Sequence, residues 1–251
     1  MVEWEITLDC NHTCGYCVNS RNSALPEPIP YETDKDKVFA FLDMVKESYP
    51  GEELFVFGGE PFLHPFIGDI IEYMNKIELP FIIQTNFAYP IRMKVIGSPF
   101  KVQVSVHPTQ IKNKEFFVES IRELQDIIRR IDVMYVGEES FDYYKKILKV
   151  LDDRDKLYIA PVADFKYTKV VNEHLYEFNR MKKGIQNKIY RFEEGDRSFI
   201  WEQQMRGELT YKYQPCMYKD TYKLFDPLLR KYTCSYRENN DICPNDHCFL
   251  M

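Results

Sequence analysis

The feature that most constrains the fold is an alternation of strand-like and helix-like segments through about the first 165 of the 251 residues. Six short runs are rich in β-branched and aromatic residues. Several are almost entirely apolar, which is typical of strands buried on both faces. The predicted strands cover residues 2–8, 53–57, 81–84, 102–106, 133–136 and 157–162.

Apolar residues at helical spacing separate these runs. The stripes are Val38, Phe41, Leu42 and Val45; Ile70, Ile71 and Met74; Phe117, Ile121, Leu124 and Ile128; and Phe141, Tyr144, Leu148 and Leu151. Strands that alternate with helices indicate βαβ units and a parallel sheet. Six such units fall short of an eightfold barrel. We therefore expect an α/β fold with a partial, TIM-like (β/α)6 barrel.

The pattern changes near residue 183. Residues 184–251 are rich in Tyr, Lys, Arg and acidic side chains, show little periodicity, and contain four of the seven cysteines. A segment with so weak a core needs an additional constraint, which a metal can supply. We expect a barrel domain over residues 1–183 and a small, cysteine-containing extension over 184–251.

Composition narrows the class of protein. Hydrophobic residues make up 45% of the chain, and the net charge is −6 without any long basic run. General binding to nucleic acid is therefore not expected. Neither a secretory signal nor a run of about 18 apolar residues is present, so we expect a cytoplasmic protein with no membrane association. Cysteines in a reducing compartment favour metal binding or catalysis over disulfides.

Three cysteines, Cys10, Cys14 and Cys17, lie within eight residues just after the first predicted strand. Sites in parallel α/β folds form at the carboxyl ends of strands, which is where this loop falls. Three thiolates can hold three irons of a [4Fe–4S] cluster. A zinc loop is the alternative, but zinc usually takes four ligands, and His12 would have to fold back within the loop to be the fourth. A set of buried thiols is a further alternative.

A second motif, Gly58-Gly59-Glu60-Pro61, follows the second predicted strand. The two glycines would let the backbone approach a ligand closely, and Glu60 adds an acceptor beside them. By itself the motif is also consistent with an ordinary turn.

Together these motifs resemble a known family. The Cys-x3-Cys-x2-Cys spacing, with Tyr16 before the last cysteine, resembles the signature of the radical S-adenosylmethionine (radical SAM) enzymes, and the Gly-Gly-Glu-Pro segment lies one βα unit later, as it does in that family. The resemblance implies that the three cysteines bind a [4Fe–4S] cluster, whose open iron is chelated by SAM. It also implies that Gly58, Gly59, Glu60 and Pro61 bind the SAM amino group. The implied reaction is reductive cleavage of SAM to a 5′-deoxyadenosyl radical, which abstracts a substrate hydrogen.

Weaker similarities to the family follow at later strand ends. Thr85-Asn86 resembles a Thr-Asn-Gly segment, with Phe87 in place of glycine, and Ser105 resembles a serine that contacts the SAM ribose or carboxylate. His107 stands where many relatives have an acid. The backbone from Ala160 to Val162 would face adenine. Each of these positions is equally consistent with an ordinary strand end.

The four later cysteines could bind a second metal group. They are Cys216, Cys234, Cys243 and Cys248. Their segment resembles the auxiliary-cluster extension called SPASM or twitch, in which a hairpin with Asp-Pro lies between two cysteines. The usual glycines are absent and a full SPASM module needs more cysteines, so the resemblance implies one twitch-like [4Fe–4S] cluster, which would serve as an electron relay or a substrate ligand. If all four cysteines bind it, no iron is open and the relay role is favoured. Structural zinc, with His247 as a possible replacement ligand, and free thiols are the alternatives.

The resemblance implies a peptide or small-molecule substrate and an electron donor such as flavodoxin or ferredoxin. Because nine residues precede Cys10, no N-terminal peptide-recognition domain is expected, which weakens the peptide alternative. A nucleotide- or sugar-modifying enzyme is the second hypothesis. A non-catalytic iron–sulfur or zinc-binding redox protein is the third, and Gly58, Gly59 and Glu60 argue against it.

Overall fold

The computed structural model describes residues 2–15, 17, 31–136, 138–161 and 223–232. Six strands alternate with helices along the chain. The strands are β1 (Val2–Thr7), β2 (Leu54–Gly58), β3 (Phe81–Thr85), β4 (Val102–Val106), β5 (Ile128–Tyr135) and β6 (Leu157–Pro161). The helices are α1 (Lys35–Ser48), α2 (Ile67–Lys76), α3 (Pro90–Lys94), α4 (Lys114–Glu123) and α5 (Glu138–Val150). The predicted α/β class is confirmed.

The strands form one sheet in the order β6-β5-β4-β3-β2-β1, and every neighbouring pair in this series is parallel. The expected partial barrel is therefore present in its strand order. Because the strands are parallel, their carboxyl ends lie at one edge of the sheet. The loops that follow β1 to β4 meet at that edge.

Two short strands extend the sheet beyond the six that the sequence predicted. Strand β7 (Lys223–Phe225) pairs in parallel with β1, and β8 (Lys231–Tyr232) pairs antiparallel with β7. The hairpin expected around Asp226-Pro227 is thus present. It covers an edge of β1 that would otherwise carry unpaired backbone groups. The domain boundary predicted near residue 183 falls outside the described residues and stays a prediction.

Helix α1 shows why the helices form where they do. Asp34 caps its N-terminus by accepting hydrogen bonds from the backbone N–H groups of Asp36 and Lys37. Such a cap pairs donors that the first helical turn leaves without partners. The stripe predicted for this helix is confirmed by the residues it buries, which are Val38, Phe41, Leu42 and Val45.

Helix α4 differs from its prediction. The predicted stripe ran to Ile128, but the helix ends at Glu123, with Leu124 as its C-cap, and Ile128 begins β5. Strand β5 is accordingly longer than predicted, because Arg129 and Arg130 at its start interrupt the apolar pattern used to locate it. Similarly, Leu151 of the last predicted stripe lies just beyond α5.

Helix α3 was not predicted at all. It has five residues and begins at Pro90, which is too short for apolar periodicity to register. Within the described part of the chain, every helix is too short or too polar to cross a bilayer.

Candidate functional site

The cysteine loop follows β1 directly. Cys10 is exposed, Cys14 is buried and Cys17 is half-buried. A turn places the Cys17 N–H 3.0 Å from the Cys14 carbonyl, and the His12 N–H lies 3.4 Å from the Cys10 sulfur. Although Cys10 has exposed surface, partial desolvation by the surrounding protein raises the pKa of its thiol, and the charges of Glu60 and Cys17 raise this pKa further. Tyr16 lies outside the described residues.

The negative charges around the cysteine loop affect which metal group the loop can bind. Thiolates bind metal in their deprotonated form, and crowding them beside a carboxylate opposes that form unless a cation is present. Three thiol ligands on one loop at the carboxyl end of a strand fit an iron–sulfur cluster with three protein ligands. The residues present therefore fit such a group.

The Gly58-Gly59 turn contacts the cysteine loop through the backbone. The Gly59 N–H donates to the Thr7 carbonyl at 2.7 Å, and the Glu60 N–H donates to the Asp9 carbonyl at 2.7 Å. A Cβ on Gly58 would overlap the Thr7 carbonyl oxygen, and one on Gly59 would overlap the Asp9 carbonyl and lie 2.6 Å from the Leu8 carbonyl oxygen. In this structure the close approach that requires the glycines is made by the chain itself.

Glu60 joins the ends of β2 and β3. Its buried carboxylate accepts hydrogen bonds from the Thr85 hydroxyl at 2.8 Å, the Asn86 N–H at 2.8 Å and the Phe62 N–H at 3.1 Å. Burial raises the pKa of Glu60 to about 7, although these hydrogen bonds act in the opposite direction. Neighbouring Pro61 opens the short 3-10 turn that follows. The Glu60 side chain is therefore engaged within the protein and fixes the turn.

Asn86 brings the end of β3 to the cysteine loop. Its amide nitrogen donates to the Asn11 side-chain oxygen at 2.8 Å and lies 3.8 Å from the Cys10 sulfur. The next residue, Phe87, has φ 61°, a left-handed conformation that favours glycine. This conformation is consistent with the resemblance of Thr85-Asn86-Phe87 to a Thr-Asn-Gly segment.

Ser105, near the end of β4, is buried and accepts a hydrogen bond from the Gln84 side chain at 2.9 Å. Ser105 therefore lies on the same edge of the sheet as the preceding site residues. Ala160 lies on β6, and Val162 falls outside the described residues. The cysteines at 216, 234, 243 and 248 also fall outside them.

A histidine inside the cysteine loop packs against a second histidine that follows β4. The rings of His12 and His107 are 5.6 Å apart, centroid to centroid, at an angle of 82°. Burial lowers the pKa of both, that of His107 to about 4, so both imidazoles are neutral near pH 7. The sequence marked His107 only as a departure from the family pattern. A histidine inside the cysteine loop and another at a strand end were the available signal.

Arg92 and Gln110 are positioning residues that the sequence did not indicate. The Arg92 guanidinium donates to the carbonyl oxygens of Phe62 at 2.6 Å and His64 at 2.9 Å, which holds the segment after Pro61. The Gln110 side chain accepts from the Thr13 N–H at 3.0 Å. Both contacts join segments that are distant in sequence, so no local pattern predicts them.

Comparison with known proteins agrees with this arrangement of parallel βα units and a cysteine loop. A family model for the Radical SAM superfamily matches residues 4–158. The chain belongs to the radical SAM superfamily, a superfamily of enzymes. Membership implies a [4Fe–4S] cluster and SAM as cofactors.

Two curated relatives match part of the chain. One is the S-adenosylmethionine-dependent nucleotide dehydratase RSAD2 of Oncorhynchus mykiss, 31% identical over 98 residues, which are 37% of this chain and 26% of that protein. The other is the AdoMet-dependent heme synthase of Methanosarcina barkeri, 30% identical over 86 residues, or 34% of this chain and 24% of that protein. The matched segments thus span about a quarter of each relative.

Solved structures show the same fold. Streptococcus suis SuiB bound to S-adenosylmethionine has a TM-score of 0.57 and 16% identity, over 93% of this chain and 60% of SuiB. Hexahistidine-tagged anSMEcpe with bound AdoMet has a TM-score of 0.55 and 17% identity, over 99% of this chain and 75% of that protein. At these identities the likeness establishes the fold alone.

Proposed function

We propose that this chain binds SAM at a [4Fe–4S] cluster held by Cys10, Cys14 and Cys17. When bound, the cluster would supply the electron that cleaves SAM to a 5′-deoxyadenosyl radical, which removes a hydrogen atom from the substrate. The single observation that carries the proposal is the pair of backbone hydrogen bonds by which Gly59 and Glu60 donate to Thr7 and Asp9, at the end of β1 where the cysteine loop begins. They place the two family motifs side by side.

The chain's own residues would position SAM around that loop. Gly58, Gly59 and Pro61 form the turn beside it, and Glu60 holds the turn against β3. Asn86 lies next to Cys10, and Ser105 lies at the neighbouring strand end. We propose that these residues contact SAM, together with Tyr16 and the backbone of Ala160 and Val162.

A peptide or another small molecule is the proposed substrate. SuiB, which shares the fold, has been solved bound to its precursor peptide SuiA. A nucleotide is the second candidate, and it is favoured by the 31% identity to a nucleotide dehydratase. A sugar is a further alternative within the same reaction class.

We further propose that Cys216, Cys234, Cys243 and Cys248 hold a second, twitch-like [4Fe–4S] cluster that relays electrons. The support for it is the β7–β8 hairpin with Asp226-Pro227, which lies in sequence between Cys216 and Cys234. A flavodoxin or ferredoxin in a reducing cytoplasm would be the electron donor.

The test is anaerobic incubation of the reconstituted protein with SAM and dithionite, with 5′-deoxyadenosine measured by mass spectrometry. Wild type should form it, and Cys14→Ala should not, while Cys14→Ala keeps its C-terminal metal as an internal control for folding. Deuterated candidate peptides and nucleotides would then be compared by deuterium transfer into the product.

Retained SAM cleavage in Cys14→Ala would contradict the role of the cysteine loop. Wild type that binds iron and SAM but forms no 5′-deoxyadenosine with any candidate substrate would favour the non-catalytic redox protein.

A further inference from the structure

Three side chains in and beside the cysteine loop carry donor atoms that suit a single metal ion. A ring nitrogen of His12, the Cys14 sulfur and a ring nitrogen of His107 all lie within 4.8 Å of one another. The first two residues come from the loop after β1, and His107 follows β4. The three donors therefore converge through the fold, and their spacing in the chain does not reveal them.

The separation of these donors is close to what a single metal ion needs. Zn–N bonds of about 2.0–2.1 Å and Zn–S bonds of about 2.3 Å place the donors of a tetrahedral site about 3.3–3.6 Å apart. Donors that lie within 4.8 Å of one another are at most about 1.2–1.5 Å farther apart than this, a difference that small side-chain rotations can close. Two imidazoles and one thiolate are donors that zinc and cobalt(II) accept well.

One ring nitrogen of these three side chains lacks a hydrogen-bond partner among the described residues. It is the Nδ1 atom of His12, which is buried. Buried polar atoms are normally paired, and leaving one unpaired destabilises the protein. A metal ion bound to Nδ1 would remove this cost directly. A metal ion bound to Nε2 would remove it by fixing the ring in an orientation in which Nδ1 reaches a hydrogen-bond partner.

The protein already holds the two contributing loops together. The Gln110 side-chain oxygen accepts from the Thr13 N–H at 3.0 Å, and its backbone N–H donates to the His107 carbonyl at 2.9 Å. This bridge positions His107 beside the cysteine loop. The Cys10 sulfur accepts from the His12 backbone N–H at 3.4 Å. Among the described residues, the group whose donor atoms converge contains His12, Cys14 and His107, and Cys10 is not part of it.

We propose that His12, Cys14 and His107 form a binding site for one divalent transition-metal ion in the cluster-free protein. Cys14 is also a proposed ligand of the [4Fe–4S] cluster, so the single ion and the cluster exclude each other. The site goes beyond the proposed function, and it can exist whether or not the protein cleaves SAM. Its physiological consequence is that zinc competes with cluster assembly at this loop.

The experiment uses the full chain, stripped of iron and kept reduced, and titrates it with cobalt(II) as a spectroscopic probe and then with zinc. Ions bound per chain are counted in wild type, His12→Ala, Cys14→Ala and His107→Gln. The matched controls are Cys10→Ala and Cys17→Ala, which change the same loop. The four C-terminal cysteines are present in every protein, so their contribution cancels in the comparison.

We expect the first three variants to bind one ion fewer than wild type, or to bind it at least tenfold more weakly, while both controls keep it. In wild type, X-ray absorption of the ion that these variants lose should show one sulfur and two nitrogen ligands. Loss in Cys10→Ala and Cys17→Ala with retention in His107→Gln would overturn the proposal in favour of a cysteine-only loop. Equal ion counts in all six proteins would overturn it as well.

Because His107 is half-buried, His107→Gln is used only if its circular dichroism and urea midpoint match those of wild type. His12→Ala lies on a loop and provides an independent test if that condition fails. None of these measurements involves SAM, so failure of the metal site is distinguishable from failure of the proposed enzyme.

Discussion

Phe87 has a left-handed backbone conformation, which is unusual for a residue with a large side chain. A left-handed residue other than glycine is strained by about 1–2 kcal/mol. The Phe87 side chain is buried and packs edge-on against Phe117, with ring centroids 5.9 Å apart. Burying an aromatic side chain contributes about 1.5–3 kcal/mol, enough to offset the strain. Phe87 thus keeps a backbone conformation that would suit glycine while its side chain is packed in the core.

Glu60 should make the stability of the metal-free chain depend on pH. Burial raises its pKa from an ordinary 4.5 to about 7, so the folded protein holds its proton more tightly than the unfolded chain does. The resulting stabilisation is full below about pH 4.5 and is lost as pH rises through about 7. Glutamine cannot titrate. We therefore expect the stability of Glu60→Gln relative to wild type to increase by roughly 1–3 kcal/mol from pH 4.5 to pH 8.

Urea denaturation across this pH range measures the effect. The lowered pKa values of His64 and His107 give a slope of opposite sign, but both proteins share it, so it cancels in the difference. Exposed Glu72 is the control, because Glu72→Gln should show no relative slope. Parallel pH profiles for wild type and Glu60→Gln would show that the pKa of Glu60 is not raised.

Gly59→Ala should disturb the contact between the two motifs. The new Cβ would overlap the Asp9 carbonyl. The Cβ is attached directly to the backbone and the carbonyl is part of it, so neither group can rotate away. We expect a loss of about 1–3 kcal/mol in the free energy of unfolding and less iron bound after reconstitution. Denaturation and iron analysis of the same preparation would measure both.

Gly97 supplies the control for that substitution. A Cβ there would meet nothing within 4 Å, so Gly97→Ala should stay within about 0.5 kcal/mol of wild type. If Gly59→Ala behaved like Gly97→Ala, the close backbone contact would be incorrect.

At the scale of elements, the β7–β8 hairpin depends on one buried carboxylate. Asp226 accepts from the backbone N–H groups of Leu228 at 3.0 Å and Arg230 at 2.9 Å, and from the Arg230 guanidinium at 2.7 Å. The Asp226 side chain is fully buried, whereas that of Arg230 is about half exposed. The backbone contacts therefore provide most of the stabilisation, since exposed ion pairs contribute little.

Asp226→Ala should loosen this hairpin. It removes the acceptor for two backbone donors in the turn, which should lower the stability by about 1–3 kcal/mol. Amide hydrogen exchange should become faster in β7 and β8 while β3 and β4 keep their protection. Asp142→Ala, on the exposed face of α5, is the control and should leave exchange unchanged. Unchanged protection of β7 in Asp226→Ala would mean that the carboxylate does not hold the turn.

At the scale of the whole molecule, the metal content separates the two proposed clusters. Anaerobic reconstitution should give about eight irons per chain, from two four-iron clusters, with little zinc. Cys14→Ala and Cys234→Ala should each retain about four irons, because each removes a ligand from a different cluster. Iron and zinc are measured together by elemental analysis. A wild-type count near four with one zinc would replace the second cluster by structural zinc.

The sequence predicted the βα order and the cysteine loop because both depend on local patterns. Apolar periodicity located all six strands of the parallel series, and the spacing of the three cysteines identified their loop as a ligand site. The sequence-based prediction of strands and helices failed where local signals were mixed. The charged Arg129 and Arg130 obscured the start of β5, and α3 was too short for its period to be seen.

The amino-acid sequence alone determined the class of fold, the superfamily and the residues of the two main motifs, because these follow from periodicity and spacing along the chain. Tertiary structure decided which residues meet. It placed β7 beside β1, directed the Glu60 carboxylate into a buried contact with β3, and brought His107 to the cysteine loop. Contacts of this kind arise when parallel strands align their ends, so residues far apart in the sequence become neighbours without any local signal.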